Sequence, residues 1–328
     1  MELKQQVLKI LEENRGVSMN GAKIADQLFV TRSAVWKAIK SLQKDGYVIH
    51  AVTNRGYCLI SDNDIVSAES IRPYLRERAA DFTLEVRESV TSTNTLAKEL
   101  AGQGAGEGTV IIAREQTEGR GRMGRTFYSP SATGIYFSMI LRPKLTIEDS
   151  LLITTAAAVA VVQAIERVTG VDARIKWVND IFVNDKKVCG ILTEASLNFE
   201  NGGLEYAVVG IGLNVATAEF PDEIRSVAGA ILSDKPGDAP ITSLLVAEVL
   251  NNISSMMDSL TSKKYLEEYK EHSFLLGKDI LVLKGNDKIK ARAVDIDDRA
   301  RLVVEYEDNT LEALTSGEVS VRPILNER

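Results

Sequence analysis

Glycine and arginine alternate through Gly119–Arg125 (GRGRMGR), preceded by Glu115 and Gln116 and followed by Tyr128, Ser129 and Pro130. Glycines let a backbone approach a ligand closely, and arginines supply charge that does not titrate, a combination suited to an anionic or phosphorylated molecule. By itself the run fits a solvated glycine–arginine loop or a nucleic-acid-binding tail equally well. The rest of the composition narrows the chemistry. There are only two histidines, His50 and His272, and two distant cysteines, Cys58 and Cys189. Ser/His, Cys/His and zinc arrangements therefore have almost no raw material, and a disulfide framework is not indicated. The chemistry must rest on Lys, Arg, Asp, Asn and backbone amides.

Four further sets of polar and small residues accompany the loop: Ser92, Thr93 and Asn94; Lys176, Trp177, Val178, Asn179 and Asp180; Lys187, Gly190, Ile191, Leu192 and Glu194; and Gly210, Gly212 and Asn214. Each has a plain structural alternative. Lys187 reads as well as a solvated turn lysine, and Trp177 reads as packing rather than ligand stacking. Gly210 and Gly212 lack a dinucleotide-binding context, because Val215 takes the third glycine position and no capped helix follows.

Taken together and in this order, over nearly the whole chain, the five motifs resemble the bifunctional biotin–protein ligase and biotin operon repressor family. Val178 stands where that family usually has proline, which leaves the turn less restricted in φ but keeps its charged and amide groups. The resemblance implies that the biotin carboxylate attacks the α-phosphate of ATP, giving biotinyl-5'-adenylate and pyrophosphate, and that an acceptor lysine then takes the biotinyl group. A carboxylate is already a nucleophile, so the need is for cations and Mg²⁺ to offset anion repulsion. The catalytic residues implied are Arg122 and Lys187 on the carboxylate and α-phosphate, Lys176 in support, and Asp180 on the acceptor amine. Biotin would lie against Ser92, Thr93, Asn94, Gln116, Gly119, Arg120, Gly121, Arg122, Lys187 and Gly190. ATP would meet Arg122, Lys176, Asn179, Lys187 and Asn214, with Asp180 and Asn214 near a phosphate-held Mg²⁺.

The elements that must position these residues are legible in outline. Val7, Leu8, Ile10 and Leu11 give a first amphipathic helix, Ile24, Ala25 and Leu28 a second, and Val35, Ile39 and Leu42 a third capped by Thr31. Gly46 ends the third helix, and residues 47–60 read as a hairpin turning at Asn54, Arg55 and Gly56. This is the pattern of a winged helix-turn-helix. Residues 1–60 hold nine Lys/Arg against five Asp/Glu, a balance of +4 that leaves −11 for the remainder. A basic module on an acidic body points to DNA at one end, through Arg32, Ser33, Lys37, Lys40 and Arg55, although such domains also bind proteins. Trp36 reads as a core residue.

After a polar linker at 61–67, helices are expected at 93–101, 147–168 and 243–270 and strands at 109–113, 135–141, 187–195 and 206–215. Their irregular order favours an α+β sheet with helices on one face; the resemblance makes it a class II synthetase-like mixed sheet. Short strands at 280–283, 289–296, 302–306, 311–314 and 319–321, with turns such as GND, DDR and EDN, suggest a small β-barrel, SH3-like by resemblance. The expected α+β multidomain chain thus divides into 1–63 (winged helix-turn-helix), 64–272 (biotin/ATP-binding ligase domain) and 273–328 (barrel).

The longest apolar run, Leu151 to Ile165, reads as too short to cross a bilayer, so a cytoplasmic protein without a membrane partner is expected. The resemblance further implies a homodimer when biotinyl-5'-adenylate is bound, with the adenylate as corepressor, Gly119–Arg125 and the segment after Asn214 ordering on it, and operator DNA as a partner. The biotin carboxyl carrier domain of carboxylases, acetyl-CoA carboxylase among them, would be the acceptor. A ligase whose winged helix no longer binds operator DNA, a biotin-sensing regulator without ligase activity and a lipoate ligase are the alternatives; Arg122, Lys176 and Lys187 oppose the second and the GRGR loop the third.

Overall fold

The computed structural model describes residues 2–52, 55–197, 203–234, 239–258, 260–284, 287–315 and 319–323. Three helices open the chain, α1 (Leu3–Glu13), α2 (Gly21–Gln27) and α3 (Arg32–Lys44), followed by the antiparallel hairpin β1 (Ile49–Val52) and β2 (Gly56–Leu59). Their apolar faces meet in one small core that contains Val7, Leu11, Ile24, Val35, Ile39, Leu42 and Leu59. Asn20 caps α2 by accepting from Ala22 N–H at 2.8 Å, and Thr31 caps α3 by accepting from Ala34 N–H at 3.2 Å. Loss of either cap would cost about 1 kcal/mol. Thr53 and Asn54, at the expected hairpin turn, lie outside the described residues.

Trp36 departs from expectation. It is 50% exposed on α3 rather than buried, because the helix turns Val35, Ala38, Ile39 and Leu42 inward and leaves position 36 outside that stripe.

The linker is held rather than loose. Arg15, with little solvent exposure, pairs with Glu12 and donates to the carbonyls of Ile60 (3.3 Å), Ser61 (3.2 Å) and Asn63 (2.7 Å). Burial pushes the Glu12 carboxyl above its ordinary range, and the Arg15 charge and hydrogen bond act against that shift. Asp64 then accepts from both the amide (2.8 Å) and the hydroxyl (2.6 Å) of Thr242. A short helix α4 (Ala68–Ile71) leads into the central domain.

That domain is built on a seven-stranded sheet. In chain order it contains β3 (Thr83–Val90), α5 (Thr93–Gly102), β4 (Thr109–Gln116), β5 (Gly134–Leu141), α6 (Ser150–Thr169), β6 (Arg174–Lys176), β7 (Asp180–Val183), β8 (Lys186–Leu197), β9 (Leu204–Asn214), α7 (Asp222–Arg225), α8 (Ile241–Asp258) and α9 (Tyr265–Glu271). The strand order is β3-β4-β5-β9-β8-β7-β6, with β3 and β4 parallel and the other pairs antiparallel. Alternation along the strands buries both faces. Helices α6, α8 and α9 cover the face bearing Val110, Ile112, Phe137 and Val209, as expected. The other face is not bare: α5 packs Ala97 and Ala101 on Ile111, Ile140 and Val208.

The single helix expected over 243–270 is two, α8 and α9, with Leu260–Ser262 as a short 3-10 turn and Lys263 at φ 57 between them. Helix α6 spans 20 residues, long and apolar enough by composition to cross a membrane, so the length argument from the apolar run fails. Its side chains are instead mostly buried against the sheet and α8.

The C-terminal strands β10 (Asp279–Lys284), β11 (Asp287–Ile296), β12 (Leu302–Tyr306), β13 (Leu311–Leu314) and β14 (Val319–Pro323) pair antiparallel in the order β13-β12-β11-β10-β14. The expected barrel is thus seen, among the described residues, as a five-stranded sheet whose end strands are not paired with each other. Gly285 and Asn286 of the expected GND turn lie outside the described residues.

Candidate active site

A cleft of about 1090 Å³, part of it continuous with solvent, opens over the middle of the sheet. Its charged lining is one-sided: Arg120, Arg122, Arg125, Lys176 and Lys187 against Asp180. Such a cleft concentrates anions.

The loop 119–127 enters the cleft as a closed turn. Gly121 N–H donates to Arg125 O at 2.7 Å, and Phe127 N–H donates to Gly119 O at 2.8 Å. Met123 and Gly124 both have positive φ (55 and 72), which folds the tip back. Arg122 reaches inward and donates to Asn179 Oδ1 at 3.1 Å, tying the loop to the start of β7. Burial lowers the pKa of its guanidinium and the neighbouring Asp180 acts in the other direction, but an arginine stays charged throughout. Gly119 itself does not line the cleft. A Cβ there would lie 2.3 Å from Phe127 O and 2.5 Å from Ser129 Oγ, so its role is to let the loop close on itself.

Lys187, at the start of β8, lies 2.6 Å from Asp180 Oδ1 across the β7–β8 hairpin. Its backbone is held on both sides by the segment after α7: Lys187 N–H donates to Val227 O (2.8 Å) and Gly229 N–H donates to Lys187 O (2.9 Å). Lys176, Asn179 and Asp180 come from the turn between β6 and β7. Trp177 in that turn is 6% exposed, and its indole N–H donates to Ala300 O (3.0 Å) in the C-terminal domain, so packing is its visible role although it also lines the cleft. Val178 is buried, its peptide bond with Trp177 is cis, and its carbonyl accepts from Tyr269 Oη at 3.2 Å.

The opposite wall is neutral, and Thr93, Asn94 and Gln116 in it are joined by hydrogen bonds. Ser92, Thr93 and Asn94 form the first turn of α5 and are all buried. Gln116 Oε1 accepts from Thr93 N–H at 2.9 Å, and its amide nitrogen donates to Ser129 Oγ at 3.0 Å. Asn94 Nδ2 donates to Leu192 O (3.2 Å) and Glu194 Oε2 (2.9 Å). A side chain at Gly210 would collide with Asn94, and one at Gly190 or Gly212 would meet the Phe127 ring at 3.0 or 2.5 Å. The glycines of β8 and β9 thus make the floor on which the wall and Phe127 rest.

Of the residues singled out from sequence, Ser92, Thr93, Asn94, Gln116, Arg120, Gly121, Arg122, Lys176, Asn179, Asp180, Lys187 and Gly190 converge on this cleft. Asn214 does not line it. It is buried two residues beyond Gly212, where its Nδ2 donates to Gly229 O (3.1 Å) and its Oδ1 has no hydrogen-bond partner. Sequence reasoning named Arg125 and Ser129 in and beside the loop without giving either a role, and missed Phe127, Ser138, Lys98 and the 227–229 segment. Glu194 stood in a motif without a role. Among the described residues no three His, Cys, Asp or Glu gather as a metal site. Outside the cleft lining, Arg32, Ser33, Lys37, Lys40 and Arg55 are all exposed, and the four on α3 share its outer surface with Trp36.

Comparison with known proteins agrees in order along the chain. The HTH domain family matches residues 4–58, the Biotin/lipoate A/B protein ligase family residues 86–214, and the Biotin protein ligase C terminal domain residues 275–322. The bifunctional ligase/repressor BirA of Bacillus spizizenii is 33% identical over 320 residues, 93% of this chain and 95% of that protein. A biotin--[acetyl-CoA-carboxylase] ligase of Mycobacterium tuberculosis is 28% identical over 72% of this chain and 88% of that one. Among solved structures, the biotin protein ligase from Aquifex aeolicus in complex with biotin and ATP matches with TM-score 0.62 and 28% identity, over 74% of this chain and 99% of that one.

Proposed function

The chain belongs to the biotin/lipoate A/B protein ligase family, and on that premise we propose that it activates biotin with ATP and transfers it to a lysine of a biotin carboxyl carrier domain. It carries a helix-turn-helix domain and is built as a biotin protein ligase with a repressor module. The observation that carries the ligase reading is the cleft itself, where Arg122 and Lys187 share one anion-attracting space with the neutral, hydrogen-bonding wall of Thr93, Asn94 and Gln116.

Two anions must meet before any bond forms, so the cationic side of the cleft has the harder task. Arg122 and Lys187 hold the biotin carboxylate and the α-phosphate, with Lys176 and Asn179 on the remaining phosphate oxygens. A carboxylate oxygen then bonds to the α-phosphorus as the bond to pyrophosphate breaks, giving biotinyl-5'-adenylate. In the second step the neutral amine of the acceptor lysine adds to the adenylate carbonyl, AMP leaves, and the amine proton departs toward Asp180 once its partner Lys187 is engaged with phosphate. Uncharged Ser92, Thr93, Asn94, Gln116, Gly190 and the backbone at Arg120 and Gly121 match the ureido ring, which needs both donors and acceptors.

Mg²⁺ bound with the triphosphate would neutralise charge there. The Asp180 carboxylate in the cleft is an oxygen donor of the kind it takes, the unpartnered Asn214 Oδ1 lies outside the cleft lining, and an ion held mainly by phosphate needs few protein ligands. The domain division we adopt is 1–63, 64–272 and 273–328, and a cytoplasmic location follows from the carboxylase acceptor.

The repressor half of the proposal rests on the exposed basic stripe of α3 and Arg55 on the wing. Biotinyl-5'-adenylate, by ordering residues 119–125 and the segment after Asn214, would act as corepressor and favour a homodimer that matches two operator half-sites. Labelled biotin, ATP, Mg²⁺ and a purified apo carrier domain test the ligase half: wild type should label the carrier, and Arg122→Ala and Lys187→Ala should fail. Biotin binding without transfer by wild type would leave a sensing regulator instead. Gel-shift assays on DNA upstream of biotin genes, with and without biotin and ATP, test the other half. Absence of any shift at low salt would reduce the winged helix to a non-DNA role.

A further inference from the structure

From the neutral wall a chain of polar groups runs inward, from Thr93 and Asn94 at the cleft to residues that do not line it. Ser138, fully buried on β5, has its Oγ 2.6 Å from Asn94 Oδ1 and 2.7 Å from Thr93 Oγ1. On its other side Asn94 meets Glu194, which also pairs with Lys98 Nζ at 2.5 Å. Asn94 and Lys98 are one helical turn apart on α5, so a single carboxylate holds both.

Counting protons fixes a direction along this chain. A carboxylate can only accept, so the Asn94 amide must turn its nitrogen to Glu194 and its oxygen to Ser138. An amide oxygen has no proton to give, so Ser138 donates to it, and the one Ser138 proton is then unavailable to Thr93. The Thr93 hydroxyl must supply its own proton inward, to Ser138 Oγ at 2.7 Å or to Gln116 Oε1 at 3.1 Å. What Thr93 presents to the cleft is therefore a lone pair. Burial works against a charge on Glu194, but the hydrogen bonds from Lys98 and Asn94 outweigh it and hold the carboxyl below its ordinary range.

We infer that Glu194, supported by Lys98, is a positioning residue that sets the hydrogen-bond polarity of the biotin site, turning Thr93 into an acceptor for a ring N–H of the ligand. This rests on the biotin reading above. A glutamine at 194 is isosteric but can face Asn94 with either end, which frees the amide to flip and the hydroxyls to reverse.

The test is biotin binding and steady-state kinetics on the full chain for wild type, Glu194→Gln, Thr93→Val and the double variant. Glu194→Gln is expected to raise the Kd and KM for biotin about tenfold, the scale of one charge-assisted hydrogen bond, with kcat and the KM for ATP within about twofold. Because Glu194 acts through Thr93, the two substitutions should be strongly non-additive. Additive effects, or an unchanged biotin KM in Glu194→Gln, would overturn the inference while leaving the ligase assignment standing. Failure of wild type to bind biotin would overturn both. Should Glu194→Gln not fold, Ser138→Ala interrupts the same chain at its middle, and the same coupling with Thr93→Val is expected.

Discussion

Trp177 and Ala300 are 123 residues apart in sequence, yet the indole N–H of one donates to the carbonyl of the other at 3.0 Å. The bond joins the turn that carries Lys176, Asn179 and Asp180 to the β11–β12 connection of the C-terminal domain, where Ala300 is fully buried at φ 60. This gives the C-terminal domain a definite task, which is to hold one wall of the cleft from behind.

Trp177→Phe keeps most of the ring and removes the donor, leaving a buried carbonyl unpaired at a cost of about 1–2 kcal/mol. The urea midpoint should fall accordingly, and adenylate formation should slow as Lys176 and Asn179 lose their fixed places. An unchanged midpoint would show that the C-terminal domain does not brace this turn.

Gly212→Ala sets a Cβ 2.5 Å from a Phe127 ring carbon, so the ring must move, at about 1–3 kcal/mol of overpacking. Weaker biotin binding is expected, together with partial restoration of stability when Phe127→Ala is added. If the two losses simply sum in thermal unfolding, the ring is not what the glycine accommodates.

Phe29, between α2 and α3, is 96% exposed at φ 55, a conformation that β-carbon sterics disfavour. Phe29→Gly gives up no packing and relieves that strain, offset in part by the extra backbone freedom of glycine. A net gain of about 0.5–1 kcal/mol should appear in chemical denaturation. A loss would mean that the ring is covered in solution.

The depressed pKa of Glu194 carries a sign for pH dependence. The ionised carboxylate is what the folded protein favours, so its contribution is fully present above the ordinary carboxylate pKa and lost as pH falls through the depressed value. Wild type should therefore exceed Glu194→Gln in denaturant midpoint at neutral pH, and the two should converge as the pH falls below the ordinary carboxylate range. A gap that stays constant would show that the charge on Glu194 is irrelevant to stability.

Local order carried far in this chain. The apolar repeats of α1 to α3, the cap at Thr31 and the apolar runs of β5 and β9 are short-range consequences of residue type, and so were readable in sequence. The identity and order of the five motifs and the split of charge between the first 60 residues and the rest are read directly from the order of residues along the chain.

Facing and pairing were decided only in three dimensions. Which residue of an amphipathic helix turns outward depends on the neighbour it packs against, so Trp36 passed for core and α5 for a helix on the common face. The wall behind the cleft joins Asn94 to Ser138 and to Glu194, partners 44 and 100 residues away. Nothing in a local pattern specifies that a serine on β5 and a glutamate on β8 will meet one amide on α5, because strand order in the sheet, β5-β9-β8, is set by tertiary packing. The sequence determined which chemical groups this protein has, and the fold decided which of them face each other and in which direction their protons point.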